Sequence, residues 1–400
     1  MGAFDVLYKH DCDNTHRVVF NPAHLPSIVF GSRTSHVGSI VTATTIHLHH
    51  KGPSMTSERD LARSDAAARR AAATFARPSQ AHGLLQLLTS FGPFLAGCAA
   101  MYLVLPVSYA LALVLAVPTG ALLVRIFIVQ HDCGHGSFFA SPQANALVGR
   151  LCSVVTLTPF ANWRRQHGLH HADWNNLDRK GGGSDIYSSC LTVREYLART
   201  PWQRLLYRLP RHPLVANVLL PPLVFLVLYR LPFDTPRSWA RERHSVYLTN
   251  AALAAMFGTL VALLGWRQVL AVHLPIMVVA SILGVWLFTL QHRFETARWT
   301  NEGQWSFVDA ALAGSSWLRL PRALHWLTGN IGFHHIHHLN PRVPNYRLNA
   351  AHTAVQTVHT VSGLGLADGL RAPWLTLWDE VSGRLVRFSD ARDNAGGPTT

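Results

Sequence analysis

Leu84-Leu-Gln-Leu-Leu-Thr-Ser-Phe-Gly-Pro-Phe-Leu-Ala-Gly-Cys-Ala-Ala-Met-Tyr-Leu-Val-Leu105 contains no Asp, Glu, Lys, Arg or His. At about 1.5 Å per residue, a helix over this stretch crosses the ~30 Å hydrocarbon core of a bilayer. Residues 107–129 repeat the pattern with Arg125 as the one charge, close enough to the end of the run to snorkel. Residues 247–266 and 269–290 form a second pair of apolar runs. Charged residues make up only 14% of the chain against 49% hydrophobic, where soluble domains carry about 25% charged. The expected fold is therefore an all-α integral membrane protein, with four transmembrane helices in two hairpins and a helical cap on one side.

The formal net charge of +14 raises the question of nucleic acid, and its distribution answers it. No Lys or Arg lies between Arg77 and Arg125, and only Arg267 lies between Arg243 and Arg293. The basic residues fall before the first span, between the second and third, and after the fourth. By the positive-inside rule these segments, and both termini with them, share the cytoplasmic side. No nucleic-acid partner is expected. Cys12, Cys98, Cys133, Cys152 and Cys190 are odd in number and scattered, which fits a reducing compartment without a disulfide framework.

Along the chain, residues 1–54 are polar and Thr/Ser/His-rich without helical periodicity, and read as an over-long start or a disordered tail. Their His47, His49 and His50 do not share the spacing of the other histidine groups. No signal peptide is expected near Met1. Residues 55–82 are expected as a cytoplasmic or interfacial helix ended by Pro78, residues 83–350 as the membrane domain with its cap, and residues 351–400 as a C-terminal cap segment with a disordered last dozen. Within these bounds, residues 145–159 suggest an interfacial helix. Residues 180–183 suggest a Gly-rich link, and residues 214–229, interrupted by Pro221-Pro222, a re-entrant or surface-lying piece.

Three histidine groups carry the chemistry. His131 and His135 stand at i, i+4; His167, His170 and His171 at i, i+3, i+4; and His334, His337 and His338 repeat that second spacing. On a helix each set projects from one face. His292, at the end of the fourth span, makes a ninth. Neutral imidazole ligates Zn, Cu, Fe and Ni alike, but one ion rarely takes more than six ligands, so nine suit two ions with positions left open for dioxygen. No HExxH occurs, which argues against a zinc hydrolase. A metal pair at a membrane surface suggests oxygen activation against a hydrocarbon chain.

From residue 129 to 348 the chain resembles the membrane-bound fatty acid desaturases, and most closely the bacterial acyl-lipid enzymes of the omega-6 (delta-12) type. Their three histidine boxes match His131-x3-His135, His167-x2-His170-His171 and His334-x2-His337-His338. Gln130-His-Asp-Cys-Gly-His-Gly-Ser-Phe-Phe139, Leu157-Thr-Pro-Phe-Ala-Asn-Trp163 and Gly329-Asn-Ile-Gly-Phe-His-His335 support the match, with Asn176-Leu-Asp-Arg179 and Thr192-Val-Arg-Glu-Tyr-Leu197. The resemblance implies two non-haem iron ions held by His131, His135, His167, His170, His171, His292, His334, His337 and His338. It implies O2-dependent removal of two hydrogens from adjacent carbons of a membrane-lipid acyl chain, adding a second double bond. Electrons would come from an external donor, a ferredoxin or cytochrome-type carrier, since no His-Pro-Gly-Gly haem signature is present. The location implied is a bacterial inner membrane.

Two positions depart from the family. Phe288 stands where relatives place an Asn one turn before the fourth-span histidine, so that contact is absent or supplied from elsewhere, with Asn330 as the candidate. The Gly-rich link after Arg179 leaves Asp185 without a clear counterpart. Asp132 is a candidate to orient a ligand imidazole through its free N–H. His335 falls on the wrong side of its group and is expected behind the ligands or in solvent. His273 and His325 are expected to be structural, Cys133 to be packing, and Trp163, Trp174 and Trp305 to be interface or core aromatics. Arg164 and Arg165 are expected to face headgroups or a donor. The rival readings are a di-iron hydroxylase or ketolase of a lipid or carotenoid, and a His-rich metal transporter. The transporter is disfavoured because the four runs hold no Asp or Glu.

Overall fold

The computed structural model of the protein describes residues 58–179, 189–359, 361 and 363–393. The expectations for residues 1–54, for the Gly-rich link and Asp185, and for the end of the tail from 394 lie outside those residues. Chain order begins with helix α1 (Glu58–Ala73), α2 (Gln80–Val104), α3 (Tyr109–His135), α4 (Pro142–Val155) and α5 (Phe160–Asp173). There follow strand β1 (Leu191–Thr192), α6 (Val193–Leu197), α7 (Pro201–Arg208), α8 (Leu220–Leu226), α9 (Ala240–Leu264) and α10 (Trp266–His292). The remainder is α11 (Phe307–Leu312), β2 (Trp317–Leu318), α12 (Arg322–Leu327), α13 (His334–Leu339), α14 (Leu348–Gln356), β3 (Gly363–Leu364), α15 (Leu366–Arg371), β4 (Leu377–Asp379), β5 (Arg384–Val386) and α16 (Asp390–Asp393).

Helices α2, α3, α9 and α10 are long and apolar enough to cross a membrane. Leu88 is 70% exposed and Leu103 78% exposed; only lipid covers such surface at low cost. This is a membrane protein built on two hairpins, α2–α3 and α9–α10. Side-chain caps begin α2 and α3, where the Ser79 and Ser108 hydroxyls accept from the backbone N–H of His82 and Leu111. Gly265, at φ +86°, makes the turn between α9 and α10. The hairpins meet where small residues let backbones approach. A Cβ on Gly120 of α3 would lie 2.7 Å from the Val279 side chain of α10.

Arg125 corrects the sequence reading. Because α3 continues to His135, Arg125 is not near a helix end and does not snorkel. It is buried, its guanidinium donates to the Trp326 carbonyl at the end of α12, and it stacks 4.2 Å from the Trp326 ring centroid. A charge inside a span is thus neutralised by a helix C-terminus and an aromatic face. The two glycines after His131 also part ways. Gly134 faces Trp163, where a Cβ would come within 2.9 Å of the indole. Gly136, at φ +66°, ends the helix in the left-handed region.

The cap is made of the connections. Helices α4 and α5 meet at 103°, turning at Leu157 with φ 57°. Residues 214–229 do not break at the proline pair. A π-turn over Val215–Leu219 leads into α8, where Pro221 and Pro222 occupy the first turn, a place that needs no N–H partner. Strands are two or three residues long. β1 runs parallel to β4, β4 pairs antiparallel with β5, and β2 lies parallel to β3. The expected disordered end is helical at α16.

Candidate metal centre

Four helices bring the imidazoles together. The last turn of α3 supplies His131 and His135, α5 supplies His167, His170 and His171, the end of α10 supplies His292, and α13 supplies His334, His337 and His338. The i, i+3, i+4 spacing becomes two adjacent sets of donors. His131, His135, His167, His171 and His337 form one group and His170, His292, His334 and His338 the other, with the donor atoms of each group within 4.8 Å of one another. Neighbouring Nε2 atoms lie 3.1 Å apart for His170 and His292, 2.9 Å for His292 and His334, and 3.1 Å for His334 and His338. In the other group His167 and His171 are 3.2 Å apart and His171 and His337 2.9 Å. Two imidazoles at right angles on one ion, with bonds of about 2.1 Å, stand about 3.0 Å apart. The residues present fit a pair of metal ions.

Protonation points the same way. Burial, then the neighbouring imidazoles, holds His334, His337 and His338 well below the ordinary imidazole range, so the neutral, ligating form is favoured. The Nε2 atoms of His131 and His135 are buried without a hydrogen-bond partner. His131 also has the orienting carboxylate that its neighbour was expected to provide, since its Nδ1 meets Asp132 Oδ1 at 3.0 Å. Trp163 stacks on His167 at 4.7 Å and 15°, and the Trp174 ring centre is 3.9 Å from that of His292. The Trp305 indole donates to the Trp174 carbonyl. Trp163 and Trp174 are walls of the centre, and Trp305 lies behind Trp174. Trp163, four residues before His167, shares its helical face, which is the sequence signal for that role.

Other expected residues settle elsewhere. Asn330, at φ 57°, donates its amide to the Asn345 carbonyl at 3.2 Å. The position it was to compensate for is filled by the Phe288 ring itself, 5.3 Å from His170 and 4.9 Å from His292. His335 is not in solvent. It is fully buried, with Nε2 3.0 Å from His352 Nδ1. His325 stacks on Phe333 at 4.6 Å, and His273 sits against Tyr102 and Phe257. Arg165 lies over Trp239 at 4.1 Å.

An apolar cavity of about 550 Å³ opens onto both imidazole groups. Its walls come from α3, α8 and α10, through side chains such as Leu123, Phe225, Met277 and Phe288, and His131, His167, His170 and His334 also face it. The lining turns polar at Gln166, Asp173, Arg179 and Asp234. No local pattern marks this chamber, because its lining is drawn from α3, α5, α8, α10 and α13, far apart in the chain.

Comparison with known proteins places this geometry. The family pattern described as Fatty acid desaturase matches residues 105–360. A Bacillus subtilis protein named fatty acid desaturase is 42% identical over 79% of this chain and 88% of its own length. From Synechocystis sp., an sn-1 oleoyl-lipid 12-desaturase is 29% identical over 60% of this chain and 66% of its own length. An sn-1 acyl-lipid omega-3 desaturase (ferredoxin) from the same organism is 28% identical over the same shares. With the family pattern covering more than half the chain and passing through every imidazole of both groups, this protein belongs to the fatty acid desaturase family and is an oxidoreductase of the membrane.

Proposed function

We propose that the enzyme desaturates the acyl chain of a membrane lipid, adding a second double bond to a chain that already has one, at two irons. His131, His135, His167, His171 and His337 would hold one ion and His170, His292, His334 and His338 the other. Bound there, the irons would supply the activation of O2. The overall change is –CH2–CH2– + O2 + 2 e⁻ + 2 H⁺ → –CH=CH– + 2 H2O. The observation that carries the reading is the apolar 550 Å³ chamber with imidazoles of both groups in its wall. It is of a size to enclose most of a small elongated ligand, and an acyl chain asks for apolar walls and nothing more.

The chain's own residues do the positioning. Leu123, Phe225 and Met277 would hold the methylenes in one line, which fixes the carbons presented to the imidazole groups. Phe288 and Trp163 crowd the imidazoles with aromatic surface and would keep water from the reacting carbons. Gln166, whose amide donates to Asp234 at 2.9 Å, stands with Asp173 and Arg179 where the lining is polar, a suitable place for the headgroup end. The basic segments support a cytoplasmic placement of the cap and both termini, in a bacterial inner membrane. The ferredoxin in a relative's name supports a soluble iron–sulfur donor. The omega-6-type motifs and the relative named a 12-desaturase support the second double bond.

Expression in an iron-replete host containing both saturated and monounsaturated lipids tests this. Dienes made from the monoenes are the expected product. Monoenes made only from saturated chains would overturn the second-double-bond assignment and keep desaturation. A product with an added oxygen would favour the hydroxylase reading, and unchanged lipids would overturn both.

A further inference from the structure

Asp132 is a carboxylate buried to 2% exposure beside the five-imidazole group, and among the described residues it has no Lys or Arg ion pair. Such a charge is costly unless it is fully hydrogen-bonded. Its bonds come from two places far apart in the chain. Oδ1 meets His131 Nδ1 at 3.0 Å, and Oδ2 accepts from the backbone N–H of Asn345 at 2.6 Å and from the Asn345 side-chain amide at 2.8 Å. Asn345 in turn accepts at Oδ1 from the Gln86 amide at 2.8 Å, and Asn345 and Gln86 are both buried. The Gln86 donor on one side and the carboxylate acceptor on the other leave the Asn345 amide one orientation. Turned over, its oxygen would face Asp132.

From this chain, resting on the reading that the five-imidazole group binds iron, we infer that Asn345, with Gln86 behind it, is a positioning residue for the metal centre. The amide holds the Asp132 carboxylate aimed at His131. Oδ2 is taken by Asn345, so Oδ1 is the oxygen that meets Nδ1 of His131. Its Nε2 lone pair, buried and unpartnered, is the one left for the ion. Asn345 sits just beyond α13, on the segment that carries the third histidine box, so one amide sets the register of the first box against the third. Gln86 brings α2, which supplies no imidazole, into the same register. Tyr346 ties this point down further, its hydroxyl accepting from the Ser79 N–H at 2.7 Å and donating to the Phe138 carbonyl at 3.1 Å.

The test is iron retention in the purified full-length chain under a competing chelator, with thermal unfolding of the metal-free protein measured beside it. Asn345→Leu removes the side-chain donor, and its iron is expected to fall from two to one per chain, the lost ion being released about 10- to 100-fold faster than in the parent. Gln86→Leu, which leaves the Asn345 amide in place but free to turn, is expected to show a smaller acceleration of the same ion. Neither change is expected to move the unfolding of the metal-free protein by as much as it moves iron release. Parent-like retention in both variants would overturn the inference. So would loss of both ions together with a lowered unfolding temperature, which would make Asn345 a structural clasp. If Asn345→Leu fails to accumulate, Asn345→Ser and Gln86→Leu carry the same comparison. A parent protein that retains no iron overturns the proposed function, and this inference with it.

Discussion

His335 belongs to the same short helix as His334, His337 and His338, yet its imidazole turns to His352 behind the centre. Position on the helix decides this, because 334, 337 and 338 share a face that 335 does not. His337→Ala is therefore expected to release the ion of the five-imidazole group and abolish lipid desaturation, with membrane insertion intact; iron per chain and lipid profiles check it. His335→Leu is expected to keep iron at the parent level while destabilising the protein by about 1–3 kcal/mol, through the buried His352 nitrogen left without its partner. Burial holds His335 well below the ordinary imidazole range and lowers His352 to about 4. Both therefore fold neutral and charge more readily when unfolded, so the unfolded chain binds more protons as the medium turns acid. Stability from this pair is complete above about pH 6.5 and is lost as pH falls from there towards about 4. The unfolding midpoint of the metal-free protein, followed over that window, is expected to fall less steeply in His352→Phe than in the parent.

At the scale of elements, the spans were legible and their joints were not. A long run without charge has one cheap solution in a bilayer, so 84–105 and its three companions declare themselves. Helix ends follow side-chain rules, as at Ser79 and Ser108. What no local pattern carries is the identity of a distant partner. Arg125 reads as a charge near a span's end until Trp326, 201 residues later, is folded against it. Likewise Phe288 marks the loss of an expected Asn, but not that its ring comes to pack beside both His170 and His292. The histidine spacing predicts faces; the division into groups of five and four depends on how α5 and α13 cross, which spacing does not encode. Gly134 shows how closely α3 approaches α5. Gly134→Val is expected to drive Trp163 off His167, costing about 1–3 kcal/mol by overpacking and loosening iron as well. Thermal unfolding and iron content, measured on the same preparation, check whether the two losses travel together.

Across the whole molecule, the two imidazole groups gather one span from each hairpin and two helices of the cap. The five-imidazole group takes its donors from α3, α5 and α13, and the four-imidazole group from α5, α10 and α13. Each hairpin thus contributes one span to one group, α3 from the first and α10 from the second, while α5 and α13 of the cap contribute to both. A ligand that binds only the folded arrangement stabilises whatever must be ordered to form its site. Here that is the seating of α5 and α13 on the ends of the two spans. The hairpins themselves are held by apolar packing and by the bilayer, neither of which needs a metal. Removing iron with a membrane-permeant chelator is therefore expected to raise amide hydrogen exchange in α5 and α13 by at least an order of magnitude, through opening of the cap. Exchange in α9, which supplies no imidazole and faces lipid over much of its length, is expected to stay unchanged. Equal acceleration in α9 would mean that the metals hold the membrane bundle as a whole. No acceleration in α5 or α13 would mean that the cap's own strands and apolar clusters suffice to seat it.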